Sequence, residues 1–197
     1  MTKAQFSFLG VSGSLSRPSR TTSLVGAVLG ALQEIEDAET RLIEIADVAS
    51  DLFPAASFDH LPARGRAIVE EVEAADLLVV GTPVYRASYT GAFKHLFDLV
   101  RHDRLKGKPV ILTATGGSQL HGLVTEHQLR PLFGFFGALS LPTTVYATEA
   151  DFSNYLVSNN AIRQRIAAAS EEAVRMLRPP MSAPIGKPAR LSVAIGA

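Results

Sequence analysis

Short apolar runs alternate with longer stretches in which apolar residues recur every three or four positions, and this pattern predicts alternating strands and helices. The predicted strands cover residues 5–11, 40–46, 76–81, 109–114 and 143–147. The predicted helices cover residues 21–35, 63–74, 90–100, 120–139 and 161–177. The stretch from Asp47 to Pro62 contains two prolines and several Ser and Asp residues, so we predict an irregular loop there.

The predicted strands are short and continuously apolar, as in the run from Leu77 to Val80. Such runs are typical of parallel strands that helices cover on both faces. Right-handed crossovers then leave two common arrangements, the dinucleotide-binding order and the flavodoxin order 2-1-3-4-5. Both arrangements place ligands beyond the carboxyl ends of the strands, so the loops that follow the strands are where we expect the chemistry.

The predicted helix over residues 120–139 has an irregular apolar spacing. Its apolar positions step by five from Val124 to Leu129, where steps of three or four are normal. A one-residue insertion, or π-bulge, produces such a slip. Pro131 cannot donate to the carbonyl of His127, which places the bulge around Glu126 to Arg130. The alternative is a proline-kinked helix with an exposed His127.

Composition limits the classes of protein that this chain can belong to. Hydrophobic residues make up 47% of the 197 residues, which indicates a globular domain, and we expect one domain over residues 1–178. Residues 179–197 contain four prolines and predict an extended arm or a disordered end. Nineteen basic residues balance nineteen acidic ones, so the chain lacks the basic field of nucleic-acid-binding or membrane-surface proteins.

The chain contains no cysteine, which excludes disulfides, thiolate catalysis and iron–sulfur clusters. No pair of its five histidines has the spacing of a metal site, so we expect no metal. The apolar runs are too short to span a bilayer and the first residues do not resemble a signal peptide. These features predict a cytoplasmic protein.

The first strand-to-helix loop predicts an anion site. Seven of the twelve residues from Ser12 to Ser23 carry a hydroxyl, and Arg17 and Arg20 lie among them. The loop leads into a helix N-terminus, where unpaired amides and the helix dipole favour anions. Neither a P-loop nor the full glycine fingerprint of dinucleotide folds is present, so a monophosphate fits best. The alternative is an ordinary helix cap formed by Thr21 or Thr22.

Two further loops add features of a nucleotide site. After the third predicted strand, Pro83 stiffens the backbone, Tyr85 offers a flat face and Arg86 is suited to a phosphate or a ring edge. After the fourth, Gly116 and Gly117 allow backbone amides to approach a ligand closely. Each loop alone is also compatible with an ordinary helix entry. Their occurrence at successive strand ends favours a binding site.

Four segments together resemble the NAD(P)H-dependent FMN reductase family of the flavodoxin-like superfamily. They are SGSLSRPSRTTSL, GTPVYRASYTGAFKHLFDLV, ATGGSQLHGLVTEHQLRPLFGFF and LPTTVYATEADF, within residues 5–155. The likeness is greatest to FMN reductases that serve alkanesulfonate and methanesulfonate monooxygenases. The resemblance implies a flavodoxin-like three-layer α/β sandwich with a five-stranded parallel sheet in the order 2-1-3-4-5.

The resemblance also implies roles for individual residues. The FMN phosphate is expected to be held by Ser14, Ser19, Arg20, Thr21 and Thr22, with Arg17 as a further source of charge. The isoalloxazine ring is expected to be lined by Pro83, Val84, Tyr85 and Arg86, and its other polar edge by Thr115, Gly116, Gly117 and Ser118. In the family, an insertion in the helix at a subunit interface makes the flavin exchangeable, and His127 occupies that place.

The implied activity is hydride transfer from NADH or NADPH to N5 of FMN, with no residue acting as acid or base. Amides of Gly116 and Gly117, or Arg86, are expected to stabilise the negative charge around N1 and O2. Reduced FMN is expected to pass to an FMNH2-dependent two-component monooxygenase of sulfonate assimilation. We expect a homodimer or homotetramer, with an apolar interface that contains Phe133, Phe135 and Phe136.

Three alternatives remain at this point. The first is a quinone, azo-dye or chromate reductase that keeps its FMN tightly bound. The second is an electron carrier like flavodoxin, although such carriers are strongly acidic and this chain is neutral. The third is a nicotinamide-binding Rossmann protein in which Asp47 binds a ribose, although the glycine fingerprint is missing.

Overall fold

The computed structural model describes residues 5–178, so the predicted tail over 179–197 lies outside the described residues. The central sheet is six-stranded and parallel, with the order β2-β1-β3-β4-β5 and with β6 paired to β4 next to β5. Its strands are β1 (Phe6–Ser12), β2 (Ala38–Glu44), β3 (Leu77–Pro83), β4 (Pro109–Gly116), β5 (Leu139–Ser140) and β6 (Val145–Thr148). This is the flavodoxin order, which confirms the predicted fold class.

Helices cover both faces of the sheet. They are α1 (Arg20–Ile35), α2 (Ile45–Leu52), α3 (Ala63–Ala74), α4 (Gly91–Leu99), α5 (Arg130–Phe135) and α6 (Asn160–Leu177). Alternate residues of β3 explain the two layers: Leu77 and Val79 pack with α1 and α6, whereas Leu78 and Val80 pack with α2 to α5. All four are fully buried, as their unbroken apolar run predicts.

The predicted irregular stretch from Asp47 to Pro62 is wrong in its first part. Residues Ile45–Leu52 form α2, and β2 ends at Glu44. Ile45, Val48 and Leu52 recur at helical spacing and are buried, so this short helix covers an edge of the sheet. The prolines that indicated a loop lie beyond its last turn.

The predicted helix over residues 120–139 is much shorter in the structure. A 3-10 turn, Gln119–His121, is followed by a π-helix, Thr125–Leu129, and by α5. Gly137 then adopts a left-handed conformation (φ 64°), which ends the helix and turns the chain into β5. The predicted slip in helical spacing is therefore confirmed within one residue, while the predicted length is wrong.

The predicted fifth strand corresponds to β6, whereas β5 is an additional two-residue strand that the sequence did not predict, so the sheet has six strands instead of the expected five. The two strands pair with β4 at different heights. A small antiparallel hairpin that the sequence did not predict follows, with strands β7 (Phe152–Ser153) and β8 (Leu156–Val157). Among residues 5–178, no helix combines the length and apolar character needed to cross a membrane. The same range holds no group of three side chains arranged to bind a metal ion.

Two of the three phenylalanines expected at a subunit interface lie in the core of the chain itself. Phe133 and Phe136 are almost completely buried, and both pack against Phe97 of α4. Only Phe135 is exposed. The predicted interface cluster is therefore wrong for Phe133 and Phe136, because the amphipathic face of α5 points them inward.

Candidate active site

Four loops at the carboxyl ends of β1, β3, β4 and β6 surround an open cleft of about 340 Å³. Its position is the one that parallel sheets of this order offer to ligands. Ten of the predicted site residues line this cleft, namely Ser14, Ser19, Arg20, Thr21, Pro83, Val84, Tyr85, Thr115, Gly116 and Gly117. The sequence therefore located most of the cleft from three loops.

Ser19 organises the first loop by capping α1. Its Oγ accepts a hydrogen bond from the amide of Thr22 at 3.2 Å. The alternative prediction, that Thr21 or Thr22 caps the helix, is therefore wrong. The amides of the first helical turn have no partner within the helix, which leaves those of Arg20 and Thr21 for an anion. Ser16 and Pro18, which were not predicted, complete this end of the cleft.

The two arginines of the first loop have different surroundings. The guanidinium of Arg20 lies in the cleft, where it forms an ion pair with Glu149 and lies 5.2 Å from the centre of the Tyr155 ring. Arg17 is outside the cleft lining and forms an ion pair with Asp47. Arg20 is therefore the arginine available to a bound phosphate, and Asp47 is paired with an arginine of the first loop.

Short hydrogen bonds join the first three loops to one another. The buried hydroxyls of Thr21 and Thr115 are 2.6 Å apart, which links the start of α1 to the end of β4. The amide of Val84 donates to the carbonyl of Thr115 at 2.7 Å, and the amide of Gly13 donates to the carbonyl of Gly81 at 2.7 Å. These bonds fix the relative positions of the loops, so the cleft is preformed.

The second loop is a tight two-residue turn that presents Tyr85. Tyr85 and Ser88 exchange backbone hydrogen bonds of 2.9 and 3.1 Å, and Arg86 and Ala87 between them have left-handed backbones (φ 52° and 66°). The turn holds the half-exposed Tyr85 ring at the wall of the cleft. Arg86 lies outside the cleft lining.

The two glycines of the third loop serve different purposes. A Cβ at Gly116 would lie 2.2 Å from the hydroxyl of Tyr146, which donates to the carbonyl of Ser118 at 2.5 Å. Burial raises the pKa of Tyr146, so this hydroxyl keeps its proton as a donor. A Cβ at Gly117 would meet no atom within 4 Å, so only Gly117 leaves open space beside the cleft.

The remaining predicted residues lie behind the cleft. The hydroxyl of Thr22 is 2.8 Å from that of Ser12 and donates to Glu44. The Ser118 hydroxyl accepts from the amide of Leu120 and begins a 3-10 turn. Thr22 and Ser118 thus support the loops from behind.

The fourth loop contributes two residues to the cleft that sequence reasoning did not assign, Glu149 and Tyr155. Asn154 and Tyr155 have left-handed backbones (φ 50° and 65°) at the tip of the β7–β8 hairpin, an uncommon conformation for a tyrosine. Glu149 lies in a segment that was part of the resemblance and Tyr155 lies beyond it, but nothing in the sequence distinguishes either residue from other exposed side chains.

The π-helix is connected to the second loop. The Ser88 hydroxyl donates to the side-chain carbonyl of Gln128 at 3.1 Å. His127 borders a separate depression of about 170 Å³ that also contains Ala87 and Leu123. The predicted insertion therefore lies next to the turn that positions Tyr85, while its effect on a bound flavin stays a prediction.

Comparison with known proteins finds similar sequences and a similar fold. The family model described as NADPH-dependent FMN reductase matches residues 6–152. An FMN reductase (NADPH) of Pseudomonas aeruginosa is 46% identical over 85% of this chain and 90% of its own length. The NADH-dependent FMN reductase SfnF of Pseudomonas fluorescens is 49% identical over 84% of this chain and 88% of its own. An oxidoreductase structure from Corynebacterium diphtheriae has a TM-score of 0.80 at 33% identity, covering 88% of this chain and 97% of that one.

Proposed function

The chain belongs to the NADPH-dependent FMN reductase family and is an NAD(P)H-dependent FMN reductase, and we propose that it reduces FMN in the cleft described above and releases the product to a monooxygenase. One observation carries the assignment of the site. One end of the cleft is the N-terminus of α1 with the side chain of Arg20, and the other end holds the ring of Tyr85 and the free space beside Gly117. These are the parts that a flavin mononucleotide requires at its two ends.

The phosphate of FMN binds at the start of α1 in this proposal. Ser19 ends the loop, and the amides of Arg20 and Thr21 supply donors with the positive end of the helix dipole behind them. Arg20 supplies a full charge. Ser14 is almost completely buried and its Oγ accepts the Ser16 amide at 3.2 Å, so it shapes the loop around the anion.

The ring of FMN binds between the second and third loops. Tyr85 and Pro83 provide a flat, rigid wall, and Gly117 leaves room for a ring edge to approach the backbone. The cleft volume of about 340 Å³ lies within the range of small-molecule sites. The residues present therefore fit the cofactor that the family uses.

Bound FMN supplies a ring that accepts a hydride from NADH or NADPH. The chain's contribution is orientation and charge stabilisation, because proton transfer by a side chain is not needed. The amides of Gly116 and Gly117 lie at the cleft and stabilise negative charge at the ring edge. Arg86, the other expected source of stabilisation, lies outside the lining, so the two amides take this role.

The product goes to an FMNH2-dependent two-component monooxygenase, and sulfonate assimilation is the expected setting. Support comes from the resemblance of the second and third loops to reductases that serve such monooxygenases. The π-helix next to the second loop supports an exchangeable flavin, since a π-turn is less stable than the α-helix it interrupts. A reductase that passes its flavin on needs a site from which FMN can leave.

We also propose that the chain forms a homodimer or homotetramer. Leu120 and Leu123 are 89% and 62% exposed at the start of the segment that contains the π-helix. Large exposed apolar side chains that lie close together mark protein interfaces. In this proposal the interface lies next to His127 and the second loop.

Glycine substitutions test whether the cleft is the site of reduction. Wild type is expected to oxidise NADH or NADPH when FMN is added. Leucine at Gly117 fits the fold, because nothing lies within 4 Å of a Cβ there, but it occupies the space that the ring needs. Gly117→Leu should therefore lose FMN binding and FMN-dependent oxidation, measured by fluorescence titration and by absorbance at the nicotinamide band.

Gly30→Leu is the matched control. A Cβ at Gly30 also meets nothing within 4 Å, and Gly30 lies on α1 away from the cleft lining. This variant should bind and reduce FMN like wild type. Full activity of Gly117→Leu would contradict the assignment of the cleft. FMN that stays bound through dialysis and turns over without leaving would instead indicate a reductase with a prosthetic flavin.

A further inference from the structure

Glu149 places a carboxylate inside the cleft that is proposed to hold a phosphate. Glu149 and Arg20 are 129 positions apart in the chain, yet both line the cleft and they form an ion pair. The side chain of Glu149 is 73% exposed and that of Arg20 is 35% exposed, so both are accessible from the cleft. An anion that binds at Arg20 therefore meets a residue of its own charge.

The fourth loop holds Glu149 firmly in this position. Glu149 is the first residue of a 3-10 turn. The buried carboxylate of Asp151 in this turn accepts hydrogen bonds from the amide and the hydroxyl of Thr148, at 2.7 and 2.9 Å. Asp151 also accepts a hydrogen bond from the side chain of Asn159, at the start of α6. The backbone that presents Glu149 is therefore fixed independently of the Glu149 side chain.

Arg20 has a second contact that does not depend on Glu149. Its guanidinium lies over the ring of Tyr155, 5.2 Å from the ring centre. A cation over an aromatic face is stabilised by the ring quadrupole. Arg20 therefore remains beside the cleft when its carboxylate partner is exchanged for another anion.

We propose that Glu149 is an internal competitor of the FMN phosphate, which displaces it from Arg20 when FMN binds. The competition lowers the affinity for FMN and favours release of the flavin after reduction. This inference rests on the proposed function and assigns to the same site a residue that sets its affinity. Riboflavin has no phosphate, so its binding is independent of the competition.

The first loop contains a matched control. Arg17 forms an ion pair with Asp47, and neither residue lines the cleft. Arg17 also lies 3.8 Å from the carboxylate of Glu44, so Asp47→Asn removes one of two carboxylate partners of a first-loop arginine without changing the charge inside the cleft. It separates a local effect at the phosphate end from a general change in the charge of the protein.

The test is a fluorescence titration of wild type, Glu149→Gln and Asp47→Asn with FMN and with riboflavin. Glutamine keeps the size of the side chain, and the exposed position makes the substitution compatible with the fold. Glu149→Gln should bind FMN roughly twofold to fivefold more tightly, as expected for loss of an exposed ion pair that competes. Its riboflavin affinity should equal that of wild type, and the gain for FMN should decrease at high salt.

Three results would overturn the inference. In the first, Glu149→Gln binds FMN as weakly as wild type or more weakly, which would indicate that Glu149 orients Arg20 for the phosphate. In the second, riboflavin binding tightens as much as FMN binding. In the third, Asp47→Asn gives the same gain. If the wild type binds and reduces FMN, the proposed function stands under any of these results. A wild type that binds no FMN would overturn both the proposed function and the competition by Glu149.

Discussion

Lys108, the residue before β4, caps the C-terminus of helix α3 with its side chain. Its ammonium donates to the carbonyl of Glu73 at 2.8 Å and to those of Val72 and Ala75, near the C-terminus of the helix. These carbonyls have no partner within the helix, and the negative end of the dipole favours a cation. Lys108 is only 9% exposed, and burial lowers the pKa of its ammonium to about 8.

The lowered pKa of Lys108 predicts a dependence of stability on pH. Between about pH 8 and the ordinary lysine value of 10.5, the unfolded chain binds a proton that the folded chain has released. The free energy of unfolding contributed by this group therefore rises with pH across that window. Denaturant unfolding of wild type and Lys108→Met from pH 7 to 10.5 measures this contribution, as the difference between the two proteins in free energy of unfolding at each pH.

Lys108→Met should also be less stable than wild type at pH 7, by about 1–3 kcal/mol, because buried carbonyls at the end of α3 lose their donor. Parallel pH profiles for the two proteins would contradict the lowered pKa. Equal stability at pH 7 would contradict the capping role of the ammonium.

Residue identities alone do not separate Arg17 from Arg20. Both lie in the same hydroxyl-rich loop, but α1 begins at Arg20, and only that arginine is carried to the cleft. Glu149 could not be assigned from sequence at all, because its role depends on a contact across 129 positions. Gly117 was predictable from local loop chemistry, whereas the capping role of Ser19 was not, because the sequence offered Thr21 or Thr22 as the cap.

At the scale of elements, the π-helix is the feature that departs most from regular structure. The amide of Arg130 donates to the carbonyl of Thr125, five residues back, where an α-helix would use Glu126. The extra residue was visible in the sequence as a five-residue step between apolar positions. Helix α2 was missed because three buried residues over eight positions give too short a pattern against nearby prolines.

Deleting His127 should convert the π-helix into a regular α-helix, because one residue fewer restores bonding to the fourth residue back. The second loop, joined to the segment through Ser88 and Gln128, then becomes more rigid. We expect slower release of FMN and a larger fraction that remains bound after gel filtration. Stopped-flow dilution of the FMN complex measures the dissociation rate.

His127→Ala is the control for this deletion, because it removes the imidazole and keeps the length of the segment. It should release FMN at nearly the wild-type rate if the insertion is what matters. Equal slowing in both variants would assign the effect to the imidazole. An unchanged rate in the deletion variant would contradict any link between the π-helix and flavin exchange.

At the scale of the whole molecule, the strand order places four loops at one edge, and this is why separate sequence segments form one cleft. The apolar runs and the crossover rule left two strand orders open, and the family resemblance implied the order 2-1-3-4-5. The additional strand β5 was not predicted, because its two residues are too few to give a strand pattern of their own.

The surface beside the π-helix predicts how copies of the chain associate. Leu123 is 62% exposed and borders the depression next to His127, so a charge there should be buried against a partner and destabilise the assembly. Leu123→Asp should shift a homodimer or homotetramer towards smaller species in light scattering. Ile35→Asp, at an exposed residue at the end of α1, is the control and should leave the mass unchanged. A monomeric wild type would contradict an interface at this surface. Equal dissociation of both variants would also contradict it, because an effect shared with Ile35→Asp reflects loss of fold rather than loss of a specific contact.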